Sequence, residues 1–462
     1  MISWVCQHFC QLFRLKPVGG LFRRMLRNTS WLLLARLVTG FAGLGYLSLA
    51  THSLGVEGFG TLILIQTYVE IVDGLTTFQS WQAVIRYGAI CLEAEDVAGF
   101  QQLLKVTTLL DVLGSVVGVG VAIFLAPYLA PYVGWDAEMV RLVQLCSSLI
   151  MFSVVATPTG LLRLFDRFDL IAYKTALIPL LWLLGTAVVV WREGPFWSYL
   201  LAWGVSYGVG HLYLIVVGWS AAQRRGLLRG DSDKPFSLLK PIQLGPVHQG
   251  LLKFCLIANF DASLPLAMRQ ASPLLVGAIA TPAAAGLFRI AYELYTPYKD
   301  LAALLSESLY PELSRLSSVQ NWQVFKAIAL RTLGLGLVVG LGMTAIGITF
   351  GRVALRYAFG PEFVAAYGTY VLLILAGTLT LSSCALEPVL YAVGRPGLSF
   401  RVNLAAIFLI YLPCLLVFIS AAGALGAGMA TLCTTAFILG AQSWFAFWQV
   451  RKREKAEKDM VL

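Results

Sequence analysis

The sequence predicts an all-α integral membrane protein of about twelve transmembrane helices, and three observations predict it. First, the 462 residues are 58% hydrophobic and only 13% charged, with a mean hydropathy of +0.77, whereas soluble domains carry roughly a quarter charged residues. A soluble globular protein is excluded. Second, the apolar runs continue for a whole span, about 20 residues for a hydrocarbon layer of ~30 Å, instead of alternating every second residue as barrel strands do. Third, lysine and arginine gather beside these runs. The net charge of +10 therefore belongs to membrane topology and not to a nucleic-acid surface.

Residues 1–28 hold Arg14, Lys16, Arg23, Arg24 and Arg27 around a short apolar run broken by Pro17, Gly19 and Gly20. A signal peptide has a cleaner apolar core and small residues at a cleavage site, so this segment reads as an uncleaved cytoplasmic lead-in. Residues 29–222 form a first lobe, with spans near 30–52, 59–80, 105–127, 139–157, 175–191 and 198–220. The longest polar stretch follows, a cytoplasmic linker at 223–253 with Arg224, Arg225, Arg229, Lys234 and Lys240. A second lobe, 254–449, has spans near 254–280, 284–309, 327–350, 366–384, 402–420 and 424–448, and 450–462 is a basic cytoplasmic tail.

Basic residues favour cytoplasmic loops. One alternating set of loops holds Arg163, Arg167, Lys174, Arg315, Lys326, Arg395, Arg401 and the tail, while the other offers Arg141, Arg192, Arg352 and Arg356. Both termini are thus expected in the cytoplasm, which needs an even number of spans. Six spans, a linker and six more imply duplication. Gly60-Thr-Leu-Ile opens the second span as Gly286-Leu-Phe-Arg opens the eighth, and Pro158 follows the fourth span as Pro388 follows the tenth. Repeats with an even number of spans are parallel, and such repeats tend to hold a substrate site between them.

A charged side chain at the bilayer centre costs about 2.5 to 3.5 kcal/mol on insertion scales, so it faces a cavity or a partner. The first span carries Arg36, followed by the smooth stripe Gly40 and Gly43. In the second span Gln66, Glu70, Asp73 and Thr77 share one helical face. The seventh has Asp261 and Arg269, with Pro265 and Pro273 to bend it. The eighth has Arg289, Glu293, Thr296 and Asp300 at the same spacing, with Lys299 and Glu307 nearby. The first and second spans correspond to the seventh and eighth under the repeat. A hydrophilic cavity accounts for the whole set, while any single residue could equally belong to a neutralised pair, Arg289 with Glu293 or Arg36 with Glu70. Asp111 reads as interfacial and Arg331 as snorkelling. Trp191, Trp197, Tyr199, Trp444 and Trp448 read as interfacial anchors.

The eight cysteines show no CxxC spacing and read as apolar filler, and His8, His52, His211 and His248 share no metal-site spacing. No GxxxxGK[ST], HExxH or GxSxG occurs, and no long external loop carries paired carboxylates. Enzyme readings lose their support and transport remains.

Three motifs then carry a resemblance. Leu54-Gly-Val-Glu-Gly-Phe-Gly60, Gly360-Pro-Glu-Phe-Val-Ala-Ala-Tyr367 and Gly394-Arg-Pro resemble those of the oligosaccharide (O-antigen type) flippases and polysaccharide biosynthesis transporters of the multidrug/oligosaccharidyl-lipid/polysaccharide exporter superfamily. The resemblance covers most of the chain. It implies two parallel six-helix repeats around a central cavity, as in multidrug exporters, in the cell inner membrane. It implies as cargo a polyprenyl-diphosphate-linked oligosaccharide for cell-surface polysaccharide, moved by alternating access from the cytoplasmic to the periplasmic leaflet without covalent chemistry. By the same resemblance Arg36, Arg269 and Arg289 would contact the diphosphate.

Guanidinium groups suit phosphate through paired hydrogen bonds. Glu70, Asp73, Asp261, Glu293 and Asp300 would bind H⁺ or Na⁺ for coupling or pair within the cavity, and no other cofactor is expected. Membrane lipid is the surrounding partner, with a polysaccharide polymerase and assembly proteins downstream. Two other readings stand beside this one: a cation-coupled multidrug exporter with an acidic cavity, and a membrane scaffold with every buried charge paired.

Overall fold

The computed structural model describes residues 20–228 and 250–461, and the side chains of all of these except 20–34, 257, 258, 260–270 and 455–461. The regular elements among them are all helical. In chain order they are α1 (Gly20–Thr76), α2 (Ser80–Glu93), α3 (Val97–Val133), α4 (Ala137–Ser147), α5 (Ala156–Leu164), α6 (Phe168–Trp191) and α7 (Phe196–Arg224), then α8 (Leu251–Ile279), α9 (Pro282–Ser318), α10 (Trp322–Phe359), α11 (Tyr367–Ser382), α12 (Leu386–Ala392), α13 (Pro396–Ala405) and α14 (Leu412–Val461). Short 3₁₀ turns at Ser148–Ser153 and Pro361–Ala366 and a π turn at Ala406–Tyr411 interrupt them.

Eight stretches of the described chain are long and apolar enough to cross a membrane. Two of them, Ala35–Glu93 and Pro396–Glu454, each contain a glycine, Gly55 at φ 65° and Gly423 at φ 53°, where two helices meet across non-helical backbone. At 29 and 37 residues, α8 and α9 have the length of a span as well. This is an all-α integral membrane fold, consistent with about twelve spans.

Helix starts follow local chemistry. The first N–H groups of a helix lack intrahelical acceptors, and here side chains just ahead of the apolar runs supply them. Asp96 accepts from Gly99 N at 2.7 Å and Asp136 from Met139 N at 2.7 Å. Thr281 accepts from Ala284 N at 3.1 Å with Pro282 in the first turn, and Asn321 from Val324 N at 3.2 Å. Polar caps of this kind stabilise a helix by about 1 kcal/mol each.

The chain gathers into two compact units, one of Met1–Tyr46, Leu75–Val121 and Ser148–Leu264, the other of Leu47–Gly74, Ala122–Ser147 and Pro265–Leu462. The first has a core of Val84, Phe100, Leu104, Leu161 and Phe165. The second has one of Leu313, Trp322, Phe325, Leu386 and Val450. On α6, Leu180, Leu184 and Val188 are exposed at one-turn spacing, the surface a lipid-facing helix presents. Trp191, Trp197, Trp444 and Trp448 are exposed in keeping with anchoring, but Tyr199 is buried. It packs inside the protein because it lies on the face of α7 that carries buried Leu200, Trp203 and Ser206.

Helices run further than the apolar runs that announce them. The second span, expected to end near 80, is helical to Thr76 and resumes from Ser80 to Glu93. Hydropathy marks only the length inside hydrocarbon, and the continuation is amphipathic, burying Ala83, Val84, Tyr87 and Cys91. Among the described cysteines, Cys91, Cys146, Cys255 and Cys384 are buried and free, as filler residues are, whereas Cys414 is half-buried and Cys433 is exposed.

Candidate functional site

Arg36 is exposed on α1 and forms no ion pair among the described residues. One and two turns on, a side-chain atom added at Gly40 or Gly43 would meet nothing within 4 Å. The first span is therefore open at these two positions, and a guanidinium stands one turn before them. Further along α1, Gln66 is buried with Nε2 unsatisfied, while Glu70 and Asp73 are half-buried and engaged with neighbours. Thr77 falls in the break between α1 and α2.

On α9, Arg289 and Glu293 form an ion pair one turn apart at 2.5 Å, each about a quarter exposed. Of the two expected pairings this local one is present. Lys299 donates to the Tyr292 hydroxyl at 2.6 Å, with its ammonium 4.2 Å from the Tyr292 ring centre and 5.2 Å from that of Tyr295. Two aromatic faces and a phenol oxygen thus hold this cation. Asp300 and Glu307, two turns apart on α9, are exposed. Asp261 and Arg269 fall on α8, and their side chains lie outside the described residues.

The charged residue with the most complete set of partners is one that the sequence places at the membrane interface. Asp111 of α3 is 1% exposed. It accepts a hydrogen bond from Ser80 Oγ and another from Thr157 N at 2.8 Å. Ser80 opens α2 and Thr157 lies in the first turn of α5. Neither helix has a side-chain cap of its own, since Gln79 and Val155 at the cap positions make no such bond. A carboxylate from a third helix therefore caps a backbone N–H of α5, whose dipole favours its charge, and ties down the Ser80 side chain of α2. The other unit has a buried hydroxyl pair. Thr344 and Thr378 lie 2.7 Å apart, and Thr378 donates to Gly340 O at 3.0 Å.

Two segments that carry the family resemblance meet within one unit. Glu362 Oε2 accepts from Val56 N, the first free N–H after the Gly55 kink, at 3.3 Å. The rings of Phe59 and Phe363 pack edge-on at 5.8 Å. The landmark glycines of the proposed repeat also meet each other. A side-chain atom on Gly286 would lie 3.1 Å from Gly60 Cα, and one on Gly60 would lie 1.9 Å from Pro282 O. Only hydrogen fits where these backbones cross. The third motif, Gly394-Arg-Pro, is a turn with Gly394 at φ 79° and Pro396 opening α13.

Comparison with known proteins places this geometry. Residues 25–317 match the family described as Polysaccharide biosynthesis protein. Inner membrane protein YghQ of Escherichia coli (strain K12) is 32% identical over 350 residues, 75% of this chain and 96% of that protein. An inward-facing multidrug resistance MATE family transporter of the MOP superfamily superposes with a TM-score of 0.68 at 12% identity, covering 90% of this chain and 96% of that one. The lipid II flippase MurJ in an inward closed conformation superposes with a TM-score of 0.66 at 13% identity, covering 91% and 89%. The fold is MATE-like.

Proposed function

This chain belongs to the polysaccharide biosynthesis protein family, and on that premise we propose that it is an inner-membrane flippase, not an enzyme. It carries a polyprenyl-diphosphate-linked oligosaccharide from the cytoplasmic to the periplasmic leaflet by alternating access. The observation that supports this most directly is the open face of α1, where Arg36 stands exposed beside Gly40 and Gly43. An arginine in that position is costly against lipid and favourable against water and a phosphate. A diphosphate and several sugars crossing bare hydrocarbon would forfeit many hydrogen bonds at several kcal/mol each. A polar passage replaces those bonds while the prenyl tail stays in lipid.

In this reading Arg36, with Arg269 and Arg289, engages the diphosphate. Glu70, Asp73, Asp261, Glu293 and Asp300 take up H⁺ or Na⁺, each charge drawing about 2.3 kcal/mol from a 100 mV potential. Both termini face the cytoplasm, and the flipped product passes to a polymerase and assembly proteins. The exposed carboxylates Asp300 and Glu307 favour a second reading, a cation-coupled drug exporter.

Deletion of the protein followed by leaflet-resolved analysis of lipid-linked saccharides separates the two. Accumulation of such a saccharide on the cytoplasmic side, reproduced by Arg36→Ala at normal protein abundance, is the expected result. An unchanged saccharide pool together with increased sensitivity to cationic drugs would replace the first reading with the second.

A further inference from the structure

One unit carries a basic groove at the end of α7. It has a volume of about 280 Å³ and is lined by Phe165, Arg167, Ser220, Arg224 and Arg225, with Leu170, Val217 and Ala221 as its apolar floor. Three guanidinium groups converge there from two connections of the chain. Arg167 grips Asp169 through Nε and Nη2, both at 3.0 Å, which leaves its second terminal nitrogen unused by that pair. Arg225 lies over the Phe165 ring at 4.1 Å. Stacking occupies the face of a guanidinium and leaves its N–H edge available. Arg224 and Arg225 form no ion pair among the described residues.

What leads to this groove is apolar. Val205, Val209, Leu212 and Val216 are each between 43% and 58% exposed on α7. Their spacing forms a single stripe that continues, one turn on, to Ser220. A soluble anion has no use for such a track, whereas a phospholipid has an acyl chain to lay along it and a phosphate to place at its end. The other unit supplies the contrast. Its groove beside Phe325, Leu330, Val389 and Val450 has a volume of about 20 Å³, and its one cation, Lys326, is neutralised by Glu454.

We propose that the groove formed by Phe165, Arg167, Ser220, Arg224 and Arg225 binds the phosphodiester headgroup of an anionic phospholipid, with one acyl chain along the Val205–Val216 stripe of α7. The site shares no residue with those proposed for the cargo and stands whatever the cargo is. It selects lipid by charge, through paired N–H groups aimed at phosphate oxygens, and holds the lipid through the apolar stripe.

The full-length protein is reconstituted in phosphatidylcholine nanodiscs with a minor fraction of phosphatidylglycerol, and the lipid retained after gentle extraction is identified by native mass spectrometry. Wild type is expected to retain phosphatidylglycerol over phosphatidylcholine, and Arg224→Gln with Arg225→Gln to lower that preference about 30-fold. Ser220→Phe, which fills the groove without changing charge, gives the same loss, while Lys326→Gln leaves the preference intact. Undiminished retention in both groove variants overturns the proposal, as does an equal loss in Lys326→Gln, which would make the effect one of bulk charge. Displacement of phosphatidylglycerol by inorganic phosphate overturns it in favour of a soluble anion.

Discussion

The carboxylate of Asp111 accepts from Ser80 Oγ and from Thr157 N while almost wholly buried. Removing it deprives the Thr157 N–H at the start of α5 and the Ser80 hydroxyl at the start of α2 of their acceptor. Asp111→Ala is expected to destabilise the protein by about 3 kcal/mol. Asp111→Asn, which keeps one acceptor oxygen, should cost less than half of that. Thermal unfolding of the detergent-purified protein measures both, and equal melting temperatures for wild type and Asp111→Ala would contradict this bridging role. The sequence does not disclose this residue because its partners stand 31 and 46 positions away, beyond any helical periodicity. The Arg289–Glu293 pair was readable because four residues place two side chains on one helical face. Arg36 was readable for a similar reason, an ion surrounded by leucine, valine and glycine in its own span. Lys299 was visible as a charge, but the aromatic cage around it requires Tyr292 and Tyr295 to turn toward one another on α9.

At the level of helices, the crossing of α1 with α9 depends on missing side chains. A methyl group on Gly60 would collide with the Pro282 carbonyl, one on Gly286 would press on Gly60, which would have to give by a few tenths of an ångström, and one on Gly43 would touch nothing. A graded series follows. Gly60→Ala should lower stability by about 1–3 kcal/mol, the usual cost of overpacking. Gly286→Ala should lower it less, and Gly43→Ala not measurably. Fluorescence-detected thermal aggregation ranks the three, and a Gly60→Ala protein as stable as Gly43→Ala would refute the close crossing. Sequence comparison of the two halves singled out Gly60 and Gly286 as matching landmarks, yet it could not show that they touch. A contact between positions so far apart in sequence is a property of the folded chain. Helix ends were the least legible feature, because amphipathic extensions such as α2 leave the apolar run that announces a span.

For the molecule as a whole, the distribution of basic residues is the strongest long-range signal. It assigns the Arg163–Lys174 connection, the Arg315–Lys326 connection and the tail to one side of the membrane. An exposed position near the tail such as Arg451 and one in the Arg163–Lys174 connection such as Asp166, each replaced by Cys, should both escape a membrane-impermeant thiol reagent in intact cells and react after permeabilisation. Cys in place of exposed Arg192 or Arg352 should react in intact cells. Labelling of Arg451→Cys from outside would invert the topology. Fold class and family were both readable at this scale, since composition, span length and three short motifs are properties of the chain itself. The identity of the cargo was not, because a diphosphate and an acidic sugar ask the same thing of an arginine.

The contact between Gly60 and the Pro282–Gly286 turn also sets a schedule for biogenesis. The ribosome makes some 220 residues between the two, roughly 10 to 45 s of synthesis at about 5–20 residues per second. Over that interval the newly inserted second span has no neighbour for its glycine, and Gln66 and Glu70 sit beside it in an incomplete bundle. A message truncated before Pro282 yields a product that cannot form this crossing, and faster turnover than the full chain in a pulse-chase is the expected result.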